Sequence, residues 1–153
     1  QETALRLSVE KAAHRAKTHT DALIIGADQV ATVDNVQLGK AGNFDNALKQ
    51  LQMMRGKTVL FHSALCLFNA RTQQQQAQNI VTRATVRNLS DDELAAYLRI
   101  EQPYDCAGSA KVEALGITIL EKVESDDPTA LIGLPLIALT SMLRQSGVTF
   151  YQA

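Results

Sequence analysis

The sequence predicts an α/β fold in which a mixed, twisted sheet is flanked by helices. Three observations carry this. Strand-like apolar runs alternate along the chain with segments whose apolar residues recur at three and four, the helical period. Two long strand-like segments, residues 58–68 and 78–89, follow one another as the arms of a hairpin do. Helix start and stop signals fall where the period changes, which is the pattern of helices laid on a sheet. A length of 153 residues suits one domain with a sizeable core, and residues 1–153 are read as a single domain.

Residues 2–17 form the first expected helix, with Leu5, Val9, Ala12, Ala13 and Ala16 on one face. The chain opens on Gln1 rather than Met and is already in mid-pattern there, so it reads as a domain lacking an N-terminal segment. A polar turn at 18–21 leads to residues 23–30, an apolar, β-branched run read as a buried strand. That strand carries a small-residue step, Gly26-Ala27, then Asp28 and Gln29. An acid at a strand end either caps a turn or faces the crevice where α/β folds bind ligands. Asp34-Asn35 is a turn signal, making 30–38 a short hairpin, and Gly39 to Gly42 flank a loop. Asn43 is the expected N-cap of a helix from Phe44 to about Arg55, on which Ala47, Leu48, Leu51 and Met54 recur at helical spacing before Gly56 closes it.

Between the two long strands, residues 69–77 include Gln73 to Gln76, a low-complexity tract read as an exposed hairpin tip. Ser90 and Glu93 form a capping box. The helix they open runs to about Glu101 and buries Leu94, Tyr97 and Leu98. Residues 106–113 are a polar segment containing Gly and Ser, 116–123 another strand, and 121–127 an acidic run read as a solvated loop. Gly133-Leu134-Pro135 leads into a last helix, 136–145, carrying Leu136, Leu139, Met142 and Leu143.

Composition excludes several classes. Hydrophobic residues make up 46% and charged residues 20%, the balance of a water-soluble globular chain, with a formal net charge of −1. No basic block exists to track a nucleic-acid backbone. No apolar stretch is long enough for a bilayer and no signal peptide is evident. Cys66 and Cys106 have neither metal nor redox spacing and are read as reduced thiols of a cytoplasmic protein. The histidines show no metal spacing: His14 and His19 are read as solvent-facing, His62 as a core or edge residue.

Four segments hold most of the polar groups that could carry chemistry: Glu10-Lys11-Ala12, Asp28-Gln29, Gly39-Lys40, and 107–113 with Gly108, Ser109, Lys111 and Glu113. Lysines act as point charges on phosphate. A Gly-Ser turn presents backbone N–H groups to an anion. A carboxylate near a polyphosphate holds a divalent cation or orients a water. Each segment alone is equally a solvated surface feature. Ser109 has no adjacent base in sequence and is read as a backbone or hydroxyl contact to phosphate, not as a nucleophile.

In order, and over nearly the whole chain, these segments resemble the Maf family of nucleotide pyrophosphatases. The matching stretches are Glu10-Lys11-Ala12, Ile25 to Val30 with Asp28-Gln29, Gly39-Lys40, Cys106-Ala107-Gly108-Ser109 with Lys111 and Glu113, and Thr129 to Leu136. The last is similar to the family's N-x-x-G-L-P-L signature, with Thr129 in place of Asn. The resemblance implies a sheet and helices of the Maf and inosine triphosphate pyrophosphatase type, with a cleft between two lobes. It implies hydrolysis between the α- and β-phosphates, with a divalent cation, Mg or Mn, whose ligands it does not identify. Asp28 would accept the proton of the attacking water. Lys11, Lys40, Gly108 and Ser109 would bind the triphosphate, and Gln29 and Glu113 would read the base. The Asp28-Gln29 pair with Glu113 resembles the branch acting on 7-methyl-GTP, yielding 7-methyl-GMP and pyrophosphate. N7-methylation makes the guanine cationic, which a nearby Glu113 would favour. The implied partner is a small nucleotide, with no nucleic-acid polymer and no membrane, and a homodimer is compatible with the family.

The chain departs from the family in places. The Ser/Arg loop of form S-x-S-x-x-R that grips phosphate is not in this sequence. Ala41 stands where Pro is usual, Ala110 where an aromatic is common, Ala114 for a Gly, and His62-Ser63-Ala64 lacks the customary Thr-Gly. The missing loop gives an alternative reading: a module that binds nucleotide or a partner in cell-division control without hydrolysis.

Overall fold

The computed structural model describes residues 2–152. Its helices are α1 (Glu2–Ala16), α2 (Phe44–Met54), α3 (Asp91–Glu101) and α4 (Leu136–Gln145). Its strands are β1 (Leu23–Val33), β2 (Val36–Leu38), β3 (Thr58–Asn69), β4 (Gln74–Val86) and β5 (Leu120–Glu124). The strands form a five-stranded sheet in the order β2-β1-β3-β4-β5, with β1–β2 and β4–β5 antiparallel. This is the α/β layout expected from the alternation of periods. The chain divides into two compact units: Gln1–Gln29 with Ser63–Ile80 and Asp127–Ala153, and Val30–His62 with Val81–Asp126.

In the first unit β3 is covered on both faces. Leu65 and Leu67 pack with Ala138, Leu139 and Met142 of α4. Cys66 and Phe68 pack with Ala12 of α1, with Ile24 of β1 alongside. Strand side chains alternate between faces, so a run that is apolar at every position is what burial on both sides requires. By contrast, residues 23–30 are not the buried strand the apolar run suggested. Leu23 and Ile25 are exposed, Ala27 to Gln29 are half-buried, and only Gly26 and Val30 are buried.

The buried stripe of α1 is Ala4, Ser8 and Ala12; of the expected face Ala12 lies on it, while Leu5, Val9, Ala13 and Ala16 are half-buried, with Val9 and Ala16 packed beside Cys66 and Phe68. The reason lies across from it. A Cβ built on Gly26 would sit 2.0 Å from the Ser8 carbonyl oxygen and 2.8 Å from the Ala12 nitrogen. The backbones of β1 and α1 therefore touch, and only the smallest residues of the helix fit that contact. Close backbone approach of this kind is a task that glycine alone performs.

The glutamine tract is not the hairpin tip. Gln74 to Gln76 belong to β4, and the tip is the shorter turn 70–73, with Gln73 at φ 61°. Pairing opposite the long β3 overrides the low strand preference of glutamine, as sheet context commonly does. Gln76 also donates to the Met142 carbonyl and to Ser146 Oγ, at 3.1 and 3.0 Å, tying β4 to the end of α4.

The end of the acidic run is likewise not solvated. Asp127 is buried, and its carboxylate accepts from Thr129 N and Oγ1 (3.0 and 2.6 Å) and from Ile137 N (2.8 Å). The Thr129 hydroxyl in turn accepts from Leu136 N at 2.8 Å, so the pair caps α4 from a distance in sequence. Burial pushes the Asp127 carboxyl up, but the hydrogen bonds from Thr129, Ile137 and Ala138 outweigh it and hold the group below its ordinary value. A depressed carboxylate stabilises the fold above the ordinary value, and that stability is lost as pH falls through the folded one. Asp127→Asn is expected to lower stability by about 1–2 kcal/mol at neutral pH, the scale of losing a helix cap. Thermal melts should show this gap closing as the pH is taken down from about 4, the ordinary carboxyl value, through the lower value of the native group.

In the second unit Asp34 and Asn35 have φ of 49° and 63°, and Val33 pairs with Val36. Two successive left-handed residues in a two-residue loop are the turn that suits the strand twist. The caps are as expected: Asn43 accepts from Asn46 N at 2.9 Å, and Ser90 from Glu93 N at 3.2 Å. α2 packs on α3, with Leu51 and Met54 of one and Leu94, Tyr97 and Leu98 of the other buried. The strand expected at 116–123 begins late. Residues Leu115–Ile119 form a 3₁₀ turn, and β5 starts at Leu120. Gly116 donates to the Lys111 carbonyl at 2.8 Å, and a Cβ there would lie 2.5 Å from the Lys111 backbone, so the chain folds back too tightly for a strand.

Candidate active site

In the first unit the backbone contact at Gly26 fixes which helix residue meets the middle of β1, where Asp28 lies, and not a strand end as expected. Lys11, beside Ala12, brings its ammonium to 2.7 Å from Asp28 Oδ1 and 3.1 Å from the Ala27 carbonyl. The side chains are 55% and 16% exposed respectively, so the carboxylate is largely covered while the lysine remains open to solvent. Asp28 Oδ2 has no hydrogen-bond partner among the described residues. The question of whether Asp28 caps a turn is settled by its position inside β1: it is held by a lysine from another element.

Gln29 is tied down through its amide nitrogen. Nε2 donates to the carbonyls of Leu131 (3.0 Å) and Ala130 (3.3 Å) and approaches Ser63 Oγ at 3.2 Å. Ser63 donates to the same Ala130 carbonyl at 2.6 Å. Two carbonyl oxygens can only be met by an NH₂ group, so the orientation of the amide is forced. Its Oε1 has no partner among the described residues.

The second unit holds the other candidates. Lys40 is exposed, and its backbone bridges that of Ala107, which sets the Gly39-Lys40 loop beside the Gly108-Ser109 turn. Gly108 and Ser109 have φ of 68° and 55° and are both buried. At Gly108 an added Cβ would rest 3.5 Å from Met54 and Phe61, so the left-handed φ, not crowding, is what calls for glycine. Every polar group of Ser109 is already used: its N–H donates to the Cys106 carbonyl (3.2 Å), its carbonyl accepts from Tyr97 Oη (3.0 Å), and Oγ donates to Gln50 Oε1 (2.7 Å). The structure thus makes Ser109 a brace of the turn. Glu113 is exposed and Lys111 half-buried. Tyr97 also accepts from Lys111 N at 3.4 Å. Burial, opposed by that N–H, pushes its phenol up to about 12, so Tyr97 stays a neutral donor.

Gln50, Ser63 and the hydroxyl of Tyr97 were not singled out by sequence reasoning. One signal was available for Gln50: it is a polar residue on the rim of the apolar stripe Ala47, Leu51 and Met54, where a side chain is held but not hidden. The remaining candidates behave as expected. His62 is buried, and burial lowers its ring below the ordinary value. Cys66 and Cys106 are free thiols, each pushed up by burial. No three His, Cys, Asp or Glu side chains converge among the described residues, and among these no helix is long and apolar enough to cross a membrane.

Comparison with known proteins matches the chain to one family. The family model described as "Maf-like protein" matches residues 1–146. A relative in Cupriavidus pinatubonensis named 7-methyl-GTP pyrophosphatase is 63% identical over 151 residues, covering 99% of this chain and 76% of that protein. One of the same name in Cupriavidus metallidurans is 65% identical over 151 residues, with the same coverage of 99% and 76%. Another in Burkholderia thailandensis is 57% identical over 154 residues, covering 99% of this chain and 72% of that protein.

Proposed function

The chain belongs to the Maf family, and we propose that it hydrolyses 7-methyl-GTP to 7-methyl-GMP and pyrophosphate. The observation that carries this reading is the Lys11–Asp28 pair, 2.7 Å apart, with the anchored amide of Gln29 next in the chain. Lys11 holds Oδ1, which leaves Oδ2 to take a proton from water. The water oxygen bonds to phosphorus at the α–β bridge. The bridging P–O bond breaks, pyrophosphate leaves with the electron pair, and the proton rests on Asp28. A lysine ammonium has three donors, so Lys11 keeps one N–H for phosphate beyond its bonds to Asp28 and Ala27. In the second unit Lys40 supplies the cationic contact, with the Gly108-Ser109 turn holding its loop.

The donor set does not build a resident metal site, since no three ligating side chains converge among the described residues. It fits a cation carried by the substrate, because Mg²⁺ keeps its waters and binds chiefly through nucleotide phosphates. The substrate is then the Mg or Mn complex of the nucleotide, and the ion's charge offsets that on the leaving oxygens.

Base selection follows from what each side chain has left to offer. With its NH₂ committed to two carbonyls, Gln29 presents only Oε1, an acceptor, and so suits an N–H edge such as that of guanine. Glu113, exposed and anionic, favours the positive charge that N7-methylation places on the ring. Pyrophosphate release by the chain should therefore be faster from 7-methyl-GTP than from GTP, dTTP or UTP. Equal rates on all four would remove the specificity.

A further inference from the structure

We propose that Gln50 is a positioning residue that locks the Gly39-Lys40 loop to the Gly108-Ser109 turn and so sets Lys40 for phosphate, without touching the nucleotide itself. The proposal rests on the reading of Lys40 as a triphosphate contact. Gln50 projects from α2 and reaches both segments: Nε2 donates to the Gly39 carbonyl at 2.9 Å, and Oε1 accepts from Ser109 Oγ at 2.7 Å. The orientation is fixed from both ends. A carbonyl oxygen can only accept, so it must face the NH₂, and the hydroxyl hydrogen then has the amide oxygen as its target.

Both segments need such a link. Ser109 is a non-glycine residue at φ 55°, a strained conformation that persists only where its surroundings over-determine it. Gln50 supplies one of those determinants, beside Tyr97 on the Ser109 carbonyl and Cys106 on its N–H. Gly39 is exposed, and a Cβ there would meet nothing within 4 Å, so packing does not hold the chain at Gly39 itself, between buried Leu38 and Ala41. At Gly39 and Lys40 the loop is held by the backbone bridge from Lys40 to Ala107 and by the Gln50 amide, while its far end is held by the Gly42 N–H on the Tyr104 carbonyl and by Asn46 on the Ala41 carbonyl. Because the Ser109 hydroxyl spends its one hydrogen on Gln50, it has none to donate to a phosphate. The value of Ser109 to binding thus runs through Gln50.

The test is steady-state kinetics of Gln50→Met, Gln50→Glu, Ser109→Ala and the double variant Gln50→Met/Ser109→Ala on 7-methyl-GTP. Gln50→Met keeps the bulk and loses both hydrogen bonds. Its KM should rise about tenfold with kcat changed less than about twofold, the scale of one net hydrogen bond lost from binding. The double variant should match the more affected single variant, because both substitutions break the same link. Gln50→Glu keeps an acceptor for Ser109 and sets a carboxylate against the Gly39 carbonyl, so its KM should rise at least as far, and it carries the test if Gln50→Met fails to fold. An unchanged KM in Gln50→Glu, or single effects that multiply in the double variant, would overturn the proposal. Failure of the parent chain to release pyrophosphate from any of the four nucleotides would instead overturn the functional reading beneath it.

Discussion

Asp28→Asn is expected to cut kcat on 7-methyl-GTP by about 10²–10⁴, the usual range for removing a general base. The substitution is close to isosteric. The amide oxygen can still accept from Lys11, so position 28 keeps its partner, and stability should fall by no more than about 1 kcal/mol, the scale of a solvent-accessible ion pair. What is lost is the ability to take a proton at the second oxygen, the one that no described residue occupies. KM should move little, since in the proposed reaction the side chain acts on the water and not on the nucleotide. The readout is pyrophosphate release beside a thermal melt. Unchanged turnover with an unchanged melt would show that Asp28 does not accept the proton.

Gly26→Val is expected to damage both stability and turnover. The first carbon of any side chain at this position would lie 2.0 Å from the Ser8 carbonyl oxygen, where ordinary contact begins at 3.4 Å. Neither partner is a movable side-chain tip, so α1 must retreat by more than about 1 Å, which is overpacking against backbone. A cost of about 3 kcal/mol is expected, the upper end of the ordinary range for overpacking. At roughly 2–4 °C per kcal/mol for a chain of this size, that lowers the melting temperature by roughly 6–12 °C. The same retreat carries Lys11 away from Asp28. A misplacement of about 1 Å at a reacting group costs on the order of 100-fold in rate. Turnover in the folded fraction of Gly26→Val should fall by that order, whereas a variant that loses stability but keeps full specific activity would show that α1 does not set the pair.

What the sequence disclosed and what it hid divide along one physical line. Local signals held: Asn43 and Ser90 cap their helices, Asp34-Asn35 makes the hairpin turn, and α4 has the expected bounds of 136–145. Each rests on residues within a few positions of one another. The Lys11–Asp28 pair was legible only in part, as two charges in the order the family keeps. That they meet depends on Gly26 touching Ser8 and Ala12, which no periodicity reveals. Asp127 was misread for a related reason. An aspartate in an acidic run resembles a solvated charge until Ile137, ten positions on, is seen to donate to it. Leu136, an apolar residue at helical spacing, is exposed in the first turn of α4, where Thr129 caps its N–H. The glutamines of β4 have no strand preference of their own and take their conformation from β3.

The two-sided cover of β3 also orders events during synthesis. One of its faces is closed by α1, which leaves the ribosome well before it, and the other by α4, which follows it by some seventy residues, a separation whose loop-closure entropy must be met before the contact is gained. The segments carrying Lys11 and Asp28 are thus made before β3, and the unit that holds them is completed only when α4 follows. Until Ala138, Leu139 and Met142 emerge, the Leu65 and Leu67 face of β3 is bare apolar strand, the kind of surface on which nascent chains pair wrongly. In a growing chain, the second unit can close around its local hairpin and helix caps while the unit that holds Asp28 still waits for α4.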